Sequence, residues 1–154
     1  MKIVTRVLLS FIRKLSFMKK KVTGIGGIFF KSKDPDKIKN WYRDHLGMEV
    51  DKYGSLFRFR EYEEPTRPGH LQWSVFTDDS SYMEPSQKDF MINYRVENLT
   101  ELMEELKAAG IEALDKIEEY EYGKFVHILD PDGNKIELWE PIDEPFLPDD
   151  QDSN

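Results

Sequence analysis

The sequence predicts an α+β domain built from paired βαβββ modules whose sheets complete one curved surface. Three observations carry the prediction. Apolar periodicity switches between strand and helix spacing in the same order twice, a Tyr-Gly pair recurs in each half, and an Asp-Pro-Asp-Gly-Asn turn closes the second half. Ile38 overlays Leu102, Tyr42 overlays Leu106, and Tyr53-Gly54 overlays Tyr122-Gly123. A repeat of about 65 residues is too long for a solenoid unit and fits two similar modules, residues 20–82 and 88–141.

The elements follow in order. Val22 to Lys31, rich in Ile and Phe, reads as the first strand. Asp34 is placed to cap a helix with Pro35 at its first position. Ile38, Trp41, Tyr42 and Leu46 mark its apolar face, and Gly47 ends it. Strands at Leu56 to Phe59 and Leu71 to Phe76 follow, joined by the Pro- and Glu-rich loop Glu61 to Gly69. The second module opens with a strand at Phe90 to Val96. A helix from Thr100 to Ala109 comes next, with Thr100 and Glu101 at its start and Gly110 as its stop. A short strand near Ile111 to Leu114 then leads to the hairpin Gly123 to Leu129 and Lys135 to Glu140.

Composition narrows the function classes. Apolar residues are 39% and charged residues 34%, which suits a water-soluble globular domain. A formal charge of −8 argues against binding nucleic acid, which needs a basic face. The chain has no cysteine, so disulfides and thiolate sites are excluded and a reducing cytoplasm is the expected compartment. Residues 1–19 form a basic, apolar extension. It reads either as an interfacial helix or as the product of an upstream start, with Met18 as the true first residue. It is too short to span a bilayer, so no membrane partner is expected. Residues 142–154 read as an acidic, flexible tail. No phosphate-binding glycine loop and no G-x-S-x-G elbow is present.

The hairpin gives a register. If Asp130 faces Asn134, His127 falls opposite Glu137. Val126, Ile128, Ile136 and Leu138 then share a helix-packed face, and Phe125, His127, Glu137 and Trp139 share the other. The repeat places Leu56, Arg58 and Gln72 on the corresponding face of module one. Such a face can line a small-molecule cavity with Phe29, Met91 and Asn93 beside it, or it can simply carry ordinary surface polarity. Arg58 is placed to hold an anionic group, and His127 with Glu137 is the candidate catalytic pair, a general base and its orienter. His45 reads as a capping or surface residue, and the face of His70 is open.

GIGGIFFKSKDPDKIKNWYRDHLGM, INYRVENLTELMEELKAAGIE and YGKFVHILDPDGNKIELWEP resemble the glyoxalase/bleomycin-resistance/extradiol-dioxygenase (vicinal oxygen chelate) superfamily over residues 21–141. The resemblance implies a half-barrel enclosing a metal and a small substrate, commonly in a homodimer. It implies metal ligands from the first and last strand of each module. Glu137 matches the last of these positions and Gln72 the last strand of module one. Gly27 and Met91 stand where His or Gln ligands are expected. The leading expectation is therefore a small-molecule binding protein with a degenerate metal site. The alternatives are a lyase, isomerase or dioxygenase using Zn, Ni, Mn or Fe through Glu137, and a non-catalytic dimerisation module.

Overall fold

The computed structural model describes residues 21–147, so the extension 1–19 and the tail beyond 147 lie outside the described residues. The chain runs β1 (Val22–Ser32), α1 (Pro35–Leu46), β2 (Ser55–Arg60), β3 (Pro68–Thr77), β4 (Phe90–Val96), α2 (Leu99–Ala108), β5 (Glu118–Tyr120), β6 (Gly123–Leu129) and β7 (Lys135–Pro141). These strands form a seven-stranded sheet in the order β2-β3-β1-β4-β7-β6-β5. The pairs β1/β3 and β4/β7 are parallel, and the others are antiparallel. The two modules thus meet at β1 and β4, and the order 2-3-1 of one mirrors 6-7-4 of the other.

Local chemistry explains the boundaries. The Asp34 carboxylate accepts from the Lys37 N–H at 3.0 Å, and Gly47 closes α1 in the left-handed region at φ 66°. At α2 the cap is Asn98, not Thr100: its side chain accepts from the Glu101 N–H at 3.3 Å, and the helix begins at Leu99. Gly54 and Gly123 hold φ of 127° and 128°, and a Cβ on either would strike backbone carbonyl oxygen across the sheet. The repeated Tyr-Gly is therefore a repeated backbone device.

Two expected strands differ. Module one carries two strands after its helix rather than three, because residues 48–54 run without sheet pairing. Ile111 to Leu114 is irregular, and the short edge strand lies later, at Glu118–Tyr120. The Leu114 N–H is still satisfied, by the His127 carbonyl at 2.8 Å, so this segment is tied to β6 without forming a ladder.

The convex face is buried mainly under α2, where Val96, Leu99, Leu102, Val126, Ile128 and Leu138 pack together. By contrast α1 buries no residue fully. A second cluster, Phe29, Met83 and Met91, lies on the concave side. Among the described residues no helix is long and apolar enough to cross a membrane.

Candidate functional site

Strand alternation assembles the concave face. The hairpin register is His127 opposite Glu137 and Phe125 opposite Trp139. Beyond it the register runs Glu137–Asn93, Asn93–Gly27 and Gly27–Gln72, so these four residues form one row across β7, β4, β1 and β3. That row draws on the first and last strand of each module. It corrects the assignment of Met91: Asn93 takes the module-two position, while Met91 lies opposite Phe29 and is fully buried in the apolar cluster.

Glu137 stands at the β7 end of the row and gathers its hydrogen bonds. It is 3% exposed, and its two oxygens accept from three side chains. Tyr82 Oη donates to Oε2 at 2.5 Å, His127 Nε2 lies 2.8 Å from the same oxygen, and Asn93 Nδ2 donates to Oε1 at 2.7 Å. Burial alone would raise the Glu137 pKa, but the bonds from His127, Tyr82 and Asn93 outweigh it and hold the carboxyl below its usual range. His127 Nδ1 in turn lies 2.6 Å from Asp115 Oδ2. With a carboxylate at each nitrogen, the ring is placed to donate from both, the geometry that suits an imidazolium. Burial opposes that charge, yet the bonds to Glu137 and Asp115 raise the histidine pKa on balance. The Tyr82 hydroxyl is pushed up by burial and by the adjacent Glu137 charge.

This arrangement reassigns a role. His127 has no free nitrogen to act on a ligand and does not line the cavity, so it cannot serve there as a general base; Glu137 is the group the cavity meets. The cavity has a volume of about 790 Å³. Its floor is Gln72, Asn93 and Glu137, and Phe29, Phe125 and Trp139 line it as expected from the sequence. Arg58 is exposed and stands outside it. The edge strand β2 carries Leu56 to the cavity but leaves Arg58 beyond the wall.

Several lining residues escape the sequence reading, among them Tyr53, Tyr82, Tyr122 and Phe146. Tyr53 and Tyr122 are the tyrosines of the repeated Tyr-Gly pair, and that recurrence was the available signal. Tyr82 comes from the loop between modules and Phe146 from the supposed tail, where no periodicity marks a facing direction. Phe125 and Trp139 stack with centroids 5.7 Å apart, as do Phe76 and Tyr82 at 5.0 Å.

The residues in the row do not fit a divalent ion. Gly27 offers no donor, and a Cβ there would come 2.5 Å from Phe29 Cζ, so the ring covers this position. Gln72 could offer only its neutral amide Oε1, while its Nε2 donates to the Tyr53 carbonyl at 3.3 Å and Ser74 Oγ at 3.1 Å. Glu137 already faces a cationic imidazolium and two further donors. Among the described residues no group of three or more His, Cys, Asp or Glu could hold a metal. Among the described residues, one buried side-chain polar atom is orphaned: Asn93 Oδ1, beside Gly26 and without a hydrogen-bond partner.

A sequence model of the Glyoxalase/Bleomycin resistance protein/Dioxygenase superfamily matches residues 24–138. No curated protein sequence matches the chain. Among solved structures, methylmalonyl-CoA epimerase from Mycobacterium tuberculosis is similar at 17% identity and TM-score 0.56, covering 84% of this chain and 96% of that one. A Streptomyces coelicolor methylmalonyl-CoA epimerase variant in complex with 2-nitronate-propionyl-CoA is similar at 15% identity and TM-score 0.58, covering 78% of this chain and 98% of that one. At these identities the likeness is one of fold.

Proposed function

The chain belongs to the Glyoxalase/Bleomycin resistance protein/Dioxygenase superfamily, and on that premise we propose that its concave cavity binds a small organic molecule without a metal ion. The observation that carries the proposal is the row Gly27, Gln72, Asn93, Glu137. The four positions available for metal ligands hold a glycine under a phenyl ring, two amides and a carboxylate with three donors of its own. An aromatic-walled space with a few polar groups on its floor favours a flat, largely apolar ligand over a purely structural module. The His127–Glu137 pair then fixes the floor rather than performing chemistry on the ligand. The reading includes a cytoplasmic homodimer, supported by the cysteine-free sequence and by the exposed apolar residues Val22, Ile25 and Ile28 on β1.

The test is a titration of the uncharged probe 2-naphthamide, followed by tryptophan fluorescence, on protein dialysed against EDTA. Saturable binding is expected. A Leu56→Trp substitution, which fills the cavity from β2, should weaken it by about tenfold or more while the melting temperature holds. If Leu56→Trp leaves probe binding intact, the cavity is not the site.

A further inference from the structure

Arg95 lies two residues along β4 from Asn93, on the same concave face, and is 1% exposed. Its guanidinium sits 5.1 Å from the Trp139 ring centroid and 5.6 Å from that of Phe59. Nη1 and Nη2 donate to the two oxygens of the Asp143 carboxylate at 3.0 Å and 2.6 Å, a forked pairing. Nη1 also donates to the His70 carbonyl at 3.1 Å, and a Glu61 oxygen lies 3.5 Å from Nη2. The His70 ring, 1% exposed, reaches Asp143 Oδ1 through Nδ1 at 2.9 Å.

Asp143 is not part of the sheet. It belongs to the irregular run after β7, whose short 3₁₀ turn, Glu144–Phe146, sets the Phe146 ring 5.1 Å from His70 and 6.2 Å from Trp139. Phe146 and Trp139 both line the cavity, so the wall beside Arg95 is also the wall of the ligand space. Of the other cations near the cavity, Lys135 Nζ donates to the Tyr82 carbonyl at 2.7 Å, Arg58 stands outside, and the lining residue Lys52 is exposed, its Nζ 4.7 Å from the Tyr53 ring centroid, so Arg95 is the buried one that a carboxylate can pair in a fork.

We infer that Arg95 and His70 form a carboxylate-binding subsite of the cavity, occupied in this structure by the chain's own Asp143. Residues 142–147 are thus a plug that competes with an aromatic carboxylate ligand. Such a ligand replaces Asp143 group for group: its two oxygens take the guanidinium fork and the His70 nitrogen, and its ring takes the place of Phe146 against Trp139. Opening the plug with nothing in its place would leave Arg95 buried with only Glu61 for charge, so plug and ligand exchange rather than leave the site open. The inference rests on the concave cavity being the ligand site.

The experiment compares 2-naphthoate with uncharged 2-naphthamide, by tryptophan fluorescence, on the full chain and on Asp143→Asn and Asp143→Ala. A ligand that binds only the unplugged form loses apparent affinity by the fraction unplugged. Weakening the hold of Asp143 on Arg95 is expected to gain about tenfold. The expected result is that gain for 2-naphthoate in both variants, with 2-naphthamide unchanged within about twofold. Naphthamide binding with no naphthoate gain overturns this inference and leaves the cavity reading standing. An equal gain for both probes also overturns it, because the plug would then be steric and not a carboxylate competitor. Loss of binding by both probes in every form overturns the cavity reading and this inference together. Should both variants fail to fold, hydrogen exchange on the parent decides: saturating 2-naphthoate, but not 2-naphthamide, is expected to speed exchange at the Phe146 and Leu147 amides, and no change overturns the inference.

Discussion

Glu137 and His127 stabilise each other only while each keeps its charge, and this makes their contribution depend on pH in two directions. The folded-state pKa of His127 is raised, so its contribution is complete below the ordinary imidazole value near 6.5 and is lost as pH climbs through the raised value. That of Glu137 is lowered, so its contribution is present above the ordinary carboxylate value near 4.3 and is lost as pH falls through the lowered one. The melting temperature should therefore decline as pH rises above the ordinary imidazole value near 6.5, and His127→Gln should flatten that limb. An identical alkaline slope in the variant would show that the imidazolium is not held by Asp115 and Glu137. With His127 7% and Glu137 3% exposed, Glu137→Leu leaves a buried imidazolium facing one carboxylate and should cost about 3–5 kcal/mol in denaturant unfolding.

At the level of elements, the two helices should differ in their share of stability. Leu102 on α2 is 6% exposed within the convex core, so Leu102→Ala should cost about 2–5 kcal/mol, whereas Trp41→Ala on α1, where the ring is 49% exposed, should cost about 1 kcal/mol or less. Similar losses at the two positions would mean that α1 is better covered in solution than here. Asn98→Ala should cost about 1 kcal/mol, and Thr100→Ala distinctly less, because Asn98 supplies the cap. That displaced cap shows what the sequence made legible. The helix itself could be read from the spacing of Leu102, Met103 and Leu106, and the His127–Glu137 register from the turn at Asp130 to Asn134. Asn98, in the left-handed region at φ 49°, lay outside the expected capping box. The third strand of module one was expected from symmetry alone, and residues 48–54 have no alternation to support it. Tyr82 and Asp115 reach Glu137 and His127 from loops, where side-chain direction has no period to follow. The repeat places Arg58 on the cavity face, but it fixes a face and not how far along the edge strand the cavity extends.

Across the whole molecule, segments outside the open sheet complete the cavity wall: the loop between modules brings Tyr82 to Glu137, and the run after β7 brings Asp143 to Arg95 and Phe146 to the cavity. Of the tail expected over residues 142–154, a short turn at Glu144–Phe146 thus brings Phe146 to the cavity wall. Pro141 ends β7, and Asp143 is 5% exposed. Internal hydrogen bonds, meanwhile, engage Glu137, Asn93 and Gln72 at the metal positions, and on the proposed reading the cavity binds its ligand without an ion. The most direct test is the dissociation constant of 2-naphthamide for protein dialysed against EDTA, measured with and without one equivalent of added Zn, Ni, Mn or Fe. The same constant within about twofold in every case is the predicted result; binding that emerges only when a metal is restored would contradict the account.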